Sequence, residues 1–411
     1  MTPRQRILTA IAHKEPDRVP VDLGSTASSG ISAIAYSNLK KHLSILTGRT
    51  RIYDVIQQLA QPEDDILGRF GIDIVDIGRM FNTEDKDWYD ITMPNGDAAQ
   101  YPAWFTPIRC DDGAWEVFVE DGTKIARMPP TGTFFDQTCF PYLDGYPDDY
   151  SSLSQAQDKV LWSAMNRSPW DNASRPDFWE QLRQRTLKLR EKSDRALMVA
   201  CGCNLFEGGS ILRRMDNFLM DLCAAPREVE KLLNVLVERN MAMLEKVCKA
   251  VGDLADIICF GDDLGMDTGP FMSPQMYRKF FKPHHTAYCT YIKKNSNMHT
   301  FLHSCGSIYK LLGDIIEAGF EIINPVQTNC ADMDPQRLKK EFGRDVTFWG
   351  GGCDTRNILN NAVPAEVRDQ VKKRIEIFAP GGGFVFNTVH NILPDVPPAN
   401  IVAMFDALRQ L

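Results

Sequence analysis

Short apolar runs, each ending in polar or glycine-rich residues and followed by an amphipathic stretch, recur along this chain. Eight of them, at 19–23, 72–77, 196–200, 257–260, 300–303, 321–324, 346–349 and 384–389, have the length of strands. They are apolar without alternation, which marks strands buried on both faces. Helical periodicity fills most of the intervals, at 226–251, 273–293, 308–318 and 365–378 among others. Eight β-then-α units predict a parallel (β/α)8 barrel, a TIM barrel, with an open doubly wound sheet as the alternative. No Gly-x-Gly-x-x-Gly follows the first strand, which disfavours that alternative.

Two segments lie outside the repeat. Thr2-Pro3-Arg4-Gln5 has the capping-box pattern with proline at the first helical position, and Ile7, Leu8 and Ile11 follow at helical spacing. A helix to about residue 13 therefore precedes the barrel. Residues 87–138 are rich in aromatic residues, glycine and proline, with turn signals at Pro94-Asn95-Gly96, Asp111-Asp112-Gly113 and Glu120-Asp121-Gly122. Trp115 to Val119 alternates as a strand. The expected organisation is one barrel domain over 1–411, with a β-rich antiparallel insertion at 84–150 after the second strand.

Composition narrows the function. Of 411 residues, 44% are hydrophobic and 24% charged, which is ordinary for a soluble enzyme. A net charge of -8, with no dense Lys/Arg stripe, argues against a nucleic-acid partner. No apolar run reaches the roughly 18 residues of a membrane span, and the start lacks an apolar signal segment, so a cytoplasmic location is expected. Eleven cysteines in such a chain read as free thiols, a few of them reserved for metal or chemistry.

Catalysis in a (β/α)8 barrel sits at the C-terminal strand ends. The third strand runs into Cys201-Gly202-Cys203-Asn204 and Glu207, the fourth into Asp262-Asp263, and the fifth into His303-Ser304-Cys305-Gly306. The sixth supplies Asn324 and Gln327, the seventh Gly350-Gly351-Gly352-Cys353-Asp354, and the eighth His390. Imidazole and thiolate are zinc ligands, and His303 and Cys305 at i, i+2 can turn toward one ion. The triple glycine allows close backbone approach beside Cys353, although a tight turn explains it equally. An N-cap pair is the plain alternative for Asp262 and Asp263.

These blocks resemble the uroporphyrinogen decarboxylase-like superfamily, which includes decarboxylases and zinc-dependent, corrinoid-linked methyltransferases. The resemblance extends from Glu15-Pro16-Asp17-Arg18-Val19-Pro20 to Asp395-Val396-Pro397-Pro398-Ala399-Asn400, and is most specific at 301–307, 324–327 and 350–354. It implies a (β/α)8 barrel. It also implies a His-x-Cys zinc pair, matched by His303 and Cys305, with a more distant cysteine as third ligand. That cysteine's place falls at His390 here. Cys353 on the neighbouring strand end is the alternative, and the expected metal set is His303, Cys305 and Cys353.

The decarboxylase branch carries arginines after the first strand to grip a substrate with many carboxylates. Here that place is Gly24-Ser25-Thr26-Ala27-Ser28-Ser29, without a cation. The resemblance therefore implies a methyltransferase moving a methyl group between a small substrate and a corrinoid. The substrate is a thiol or a methoxylated aromatic, the latter by O-demethylation, with Phe206, Phe260 and Trp349 as pocket candidates. A decarboxylase of a small carboxylated substrate is the alternative. No Asp-x-His-x-x-Gly corrinoid pattern occurs, so the cobalamin is expected on a partner protein. Glu207, Asp262 and His390 are the expected catalytic residues, and Asp263, Asn324, Gln327 and Asp354 the substrate-binding ones. Homodimerisation through barrel surfaces is a further expectation.

Overall fold

In a computed structural model describing residues 1–409, seven parallel strands form one curled sheet. In chain order they are β2 (Ile74–Asp76), β3 (Ala196–Gly202), β4 (Ile257–Gly261), β5 (His299–His303), β6 (Ile322–Asn324), β7 (Thr347–Trp349) and β8 (Phe384–Val385). The eighth stave, β1 at 20–22, closes the barrel through a single parallel bridge, Val21 to Phe386. Asp22 N–H and the Pro20 carbonyl bond Phe386 on one side, and Asp73 N–H donates to the Val21 carbonyl on the other. A strand over 19–23 was expected. Pro20 has no N–H, and Val21 N–H is taken by the Asp73 carboxylate at 2.9 Å, so no ladder extends along β1.

The barrel interior is apolar: Ile74, Met198, Ile257, Cys259, Phe301, Ile322, Trp349 and Val385 form one buried cluster. Ile7, Ala10 and Ile11 of the helix Pro3–Ile11 belong to the same cluster. That helix plugs the N-terminal end of the barrel, and its Thr2 capping box is formed. The mouth at the C-terminal strand ends is left as the open side.

Outside the barrel, the long helix Pro226–Val251 falls where its periodicity predicts. The stretch 273–293 is two helices, Pro274–Phe280 and Lys282–Asn295, because Pro283 cannot donate to a continuous ladder. The insertion holds the expected hairpins. Trp88–Thr92 pairs with Ala98–Pro102, and Trp115–Phe118 pairs with Lys124–Met128, all antiparallel. A three-stranded sheet of Ile31–Ser32, Leu59–Ala60 and Ile52–Asp54 was not foreseen, since runs of two or three residues carry no period. Among the described residues no helix is long and apolar enough to cross a membrane.

Candidate metal centre

Three of the six histidine and cysteine candidates meet at the mouth. His303 closes β5, Cys305 follows in the next turn, and His390 comes from the loop after β8. One ligand atom from each lies within 4.8 Å of the others. His303 Nε2 and Cys305 Sγ are 3.4 Å apart. Zinc bonds of ~2.0 Å to nitrogen and ~2.3 Å to sulfur at a tetrahedral angle place two such ligands ~3.5 Å apart, so the pair fits. The rings of His303 and His390 meet edge-on at 5.6 Å.

The sequence delivers this geometry through hydrogen bonds. His303 Nδ1 bonds Asn324 Oδ1 at 2.7 Å. Asn324 Nδ2 donates to the Trp349 carbonyl, and Ser28 Oγ donates to the same Oδ1, which fixes the amide orientation. His303 therefore carries its proton on Nδ1 and presents a bare Nε2 to Cys305. The Cys305 turn is held from both sides: its N–H donates to Asp263 Oδ1 at 2.7 Å, and Gly306 N–H donates to Gln327 Oε1 at 2.7 Å. Gly306 adopts φ +83°, and a Cβ there would stand 2.2 Å from the Gly265 carbonyl carbon, so only glycine permits this contact.

Protonation suits a cation. Burial and the neighbouring His303 push His390 down to about 4, leaving a neutral imidazole at physiological pH. Burial, with the carboxylates of Asp263 and Glu207, drives the Cys305 thiol well above its usual range. A thiol held protonated chiefly by burial, and by the Asp263 charge, is converted to a ligand by a cation that favours the thiolate. Burial, then Asp263 and Asp262, raises the Glu207 carboxyl well above the usual carboxylate range.

The remaining candidates separate. Cys353 is outside this group. Its thiol is wholly buried, pushed up to about 12 by burial, with Asp354 and Arg374 as its charged neighbours. The ring at the cysteine's expected place, His390, completes the trio instead. Asp262 is wholly buried and accepts the backbone N–H groups of Phe206 and Glu207 at 3.0 and 2.9 Å. It pins the start of the helix Phe206–Arg213, and its Oδ2 also lies 3.4 Å from the buried His285 Nε2. Asp354 accepts from Asn329, Arg356 and Asn357 and ties its own turn. Asn324 and Gln327 support the metal turn. Asp263, beside His303 Nε2 at 3.5 Å, is the carboxylate facing the trio.

Phe206, Phe260 and Trp349 do not line an open pocket. Phe206 packs among Phe218, Phe271 and Phe281, Phe260 stacks on Tyr288, and Trp349 lies in the barrel interior against Phe301. Cys201 and Cys203 stand at the end of β3 with their thiols 3.8 Å apart. Tyr53, Asp76 and Arg167 also reach the mouth and went unnoticed in the sequence. Asp76 ends β2, and applying the strand-end criterion to that strand would have found it.

A model of the family described as "Uroporphyrinogen decarboxylase (URO-D)" matches residues 199–411. Curated uroporphyrinogen decarboxylases from Hahella chejuensis and Alkalilimnicola ehrlichii are 44% and 42% identical to the chain over 50 residues. Those matches span 12% of this chain and 14% of the length of each relative. A solved structure described as a methyltransferase from Methanosarcina mazei superposes with a TM-score of 0.58 at 16% identity. It covers 100% of this chain and 99% of that one, and it shows the same fold.

Proposed function

We propose that this chain, which belongs to the uroporphyrinogen decarboxylase family, is a zinc-dependent methyltransferase acting between a small methylated substrate and a corrinoid on a partner protein. The observation that carries the proposal is the convergence of His303, Cys305 and His390 within 4.8 Å at an open barrel mouth. Three protein ligands leave a position for substrate, whereas structural zinc has four closed ones.

With one thiolate and two neutral imidazoles, a bound zinc would keep one positive charge, so the chemistry it supplies favours polarising an ether or phenolate oxygen. The chain's own residues do the rest. Asn324 holds His303 in one tautomer, and Asp263 with Gln327 holds the Cys305 turn. Burial and the neighbouring Asp263 and Asp262 favour the protonated form of Glu207, which would supply a proton to the oxygen that departs as the methyl group leaves. The loop after β1, Gly24 to Ser29, offers hydroxyl groups and no cation, against a porphyrinogen with many carboxylates.

The test is metal analysis of the purified protein together with methylation of added cob(I)alamin, followed by its visible spectrum. Stoichiometric zinc, lost with the activity in His303→Ala and Cys305→Ala, is the expected result. Metal-free protein that decarboxylates a polycarboxylate would sink the proposal in favour of the decarboxylase.

A further inference from the structure

On the β1–β2 side of the mouth, polar groups stand without partners. Arg167 lies in a segment laid over the ends of β2 and β3: Trp170 Nε1 donates to the Ala200 carbonyl at 2.6 Å. A Cβ on Gly78 would meet the Ser168 carbonyl oxygen at 2.3 Å, so this segment packs directly on the turn after β2. The Arg167 side chain is 19% exposed, and its one carboxylate within reach, Asp54 Oδ2, is 3.8 Å away, too far for a hydrogen bond. Among the described residues its guanidinium has no hydrogen-bond partner. Asp54 is already engaged by the backbone and side-chain N–H groups of Gln57.

Two other sheltered arginines are satisfied, whereas Arg374 keeps one bond, to Thr328 Oγ1, with its Nε buried and unpartnered. Arg6 bonds Asp17, Asp73 and the Met1 carbonyl, and Arg190 bonds Asp256 and two carbonyls. Five N–H donors drawn largely out of water without an acceptor are costly, so a fold that keeps them reserves them. Beside Arg167 the Tyr53 hydroxyl is buried, its residue 9% exposed, and it too lacks a partner. Asp76, which ends β2, is a charged neighbour of both Arg167 and Tyr53, so the group lies at the strand ends. A cavity of about 20 Å3, room for one water, touches Tyr53 and Asp76 but not Arg167.

We propose that Arg167 and Tyr53 form an anion subsite, on the wall of the mouth carried by β1 and β2, that binds a carboxylate of the small substrate. A planar fork and one hydroxyl donor match two carboxylate oxygens. Asp54 and Asp76 nearby disfavour a doubly charged phosphate and leave room for a single negative charge. The identity of the ligand as the methyl-bearing substrate rests on the methyltransferase proposal; the anion subsite itself does not.

Calorimetric titration of the full chain with benzoate, and with benzamide as its uncharged counterpart, tests the subsite. Benzoate is expected to bind at least about 10-fold more tightly than benzamide, with Arg167→Gln lowering benzoate affinity about 10–100-fold and Tyr53→Phe a few-fold. Arg167→Lys keeps the charge without the fork, so an intermediate loss is expected and secures the result should Arg167→Gln unfold on heating. His303→Ala protein should bind benzoate as the wild type does, so the subsite survives even where metal and methyl transfer fail. Equal affinity for the acid and the amide, no benzoate binding, or indifference to both Arg167 variants would overturn it.

Discussion

The two walls of this barrel mouth spend their polar groups in opposite ways. On the β5–β8 wall the groups that hold His303 and Cys305 are engaged: His303 by Asn324, Asn324 by Trp349 and Ser28, the Cys305 turn by Asp263 and Gln327. On the β1–β2 wall Arg167 and the Tyr53 hydroxyl are unengaged, and Asp76 is buried with one oxygen bonded to Gly78 N–H. Fixed donors on the first wall suit a ligand field that has to be ready in advance; open donors on the second suit a group that arrives with the substrate.

The largest effect that sharpens this contrast concerns charge on the open wall. Burial raises Asp76 from 3.8 to about 6. A carboxyl whose folded value lies above its unfolded value contributes stability below pH ~4 that is lost as pH rises through ~6. The rise corresponds to about 3 kcal/mol. Urea denaturation of wild type and Asp76→Asn at pH 4 and pH 7.5 should therefore show the variant gaining about 2 kcal/mol on the wild type toward neutral pH, since part of the loss precedes pH 4. An unchanging gap would mean that the open wall carries no such strain.

A smaller effect tests the engaged wall. Asn324→Ala removes the bond that holds the His303 ring, and zinc affinity, measured by competition with a chromophoric chelator, should fall about 10–100-fold. Unaltered affinity would show that the ring needs no steering. The smallest expected effect is none. Cys353→Ser should retain zinc at wild-type stoichiometry, because this thiol faces Asp354 and Arg374 and not the trio. Loss of zinc in that variant would break the assignment of His390.

The sequence displays the engaged wall far better than the open one. Strands β3 to β7 are continuous apolar runs with chemistry-bearing residues at their ends, and the family model matches from residue 199, inside β3. His303 and Cys305 are legible because two ligands within one turn need no knowledge of the fold. The choice between Cys353 and His390 is not, since it depends on how the chain bends after β8, where the regular strand stops at Val385 and not at 389. Arg167 and Tyr53 lie in segments without periodicity, and an arginine's lack of partners is a fact of three dimensions. Asp262 and Asp263 are neighbours in sequence with opposite fates, one capping a buried helix and the other facing the trio. Adjacent carboxylates on a turn point in different directions, so spacing alone could not sort them.

The helix that stoppers the barrel floor has a consequence for traffic. Ile7, Ala10 and Ile11 fill the opposite end of the cylinder, so in the proposed methyl transfer the donor and the acceptor would share one doorway. Two such visitors cannot come from opposite faces. They must either share the opening side by side or take turns, and a bulky second reactant can reach the trio only from above.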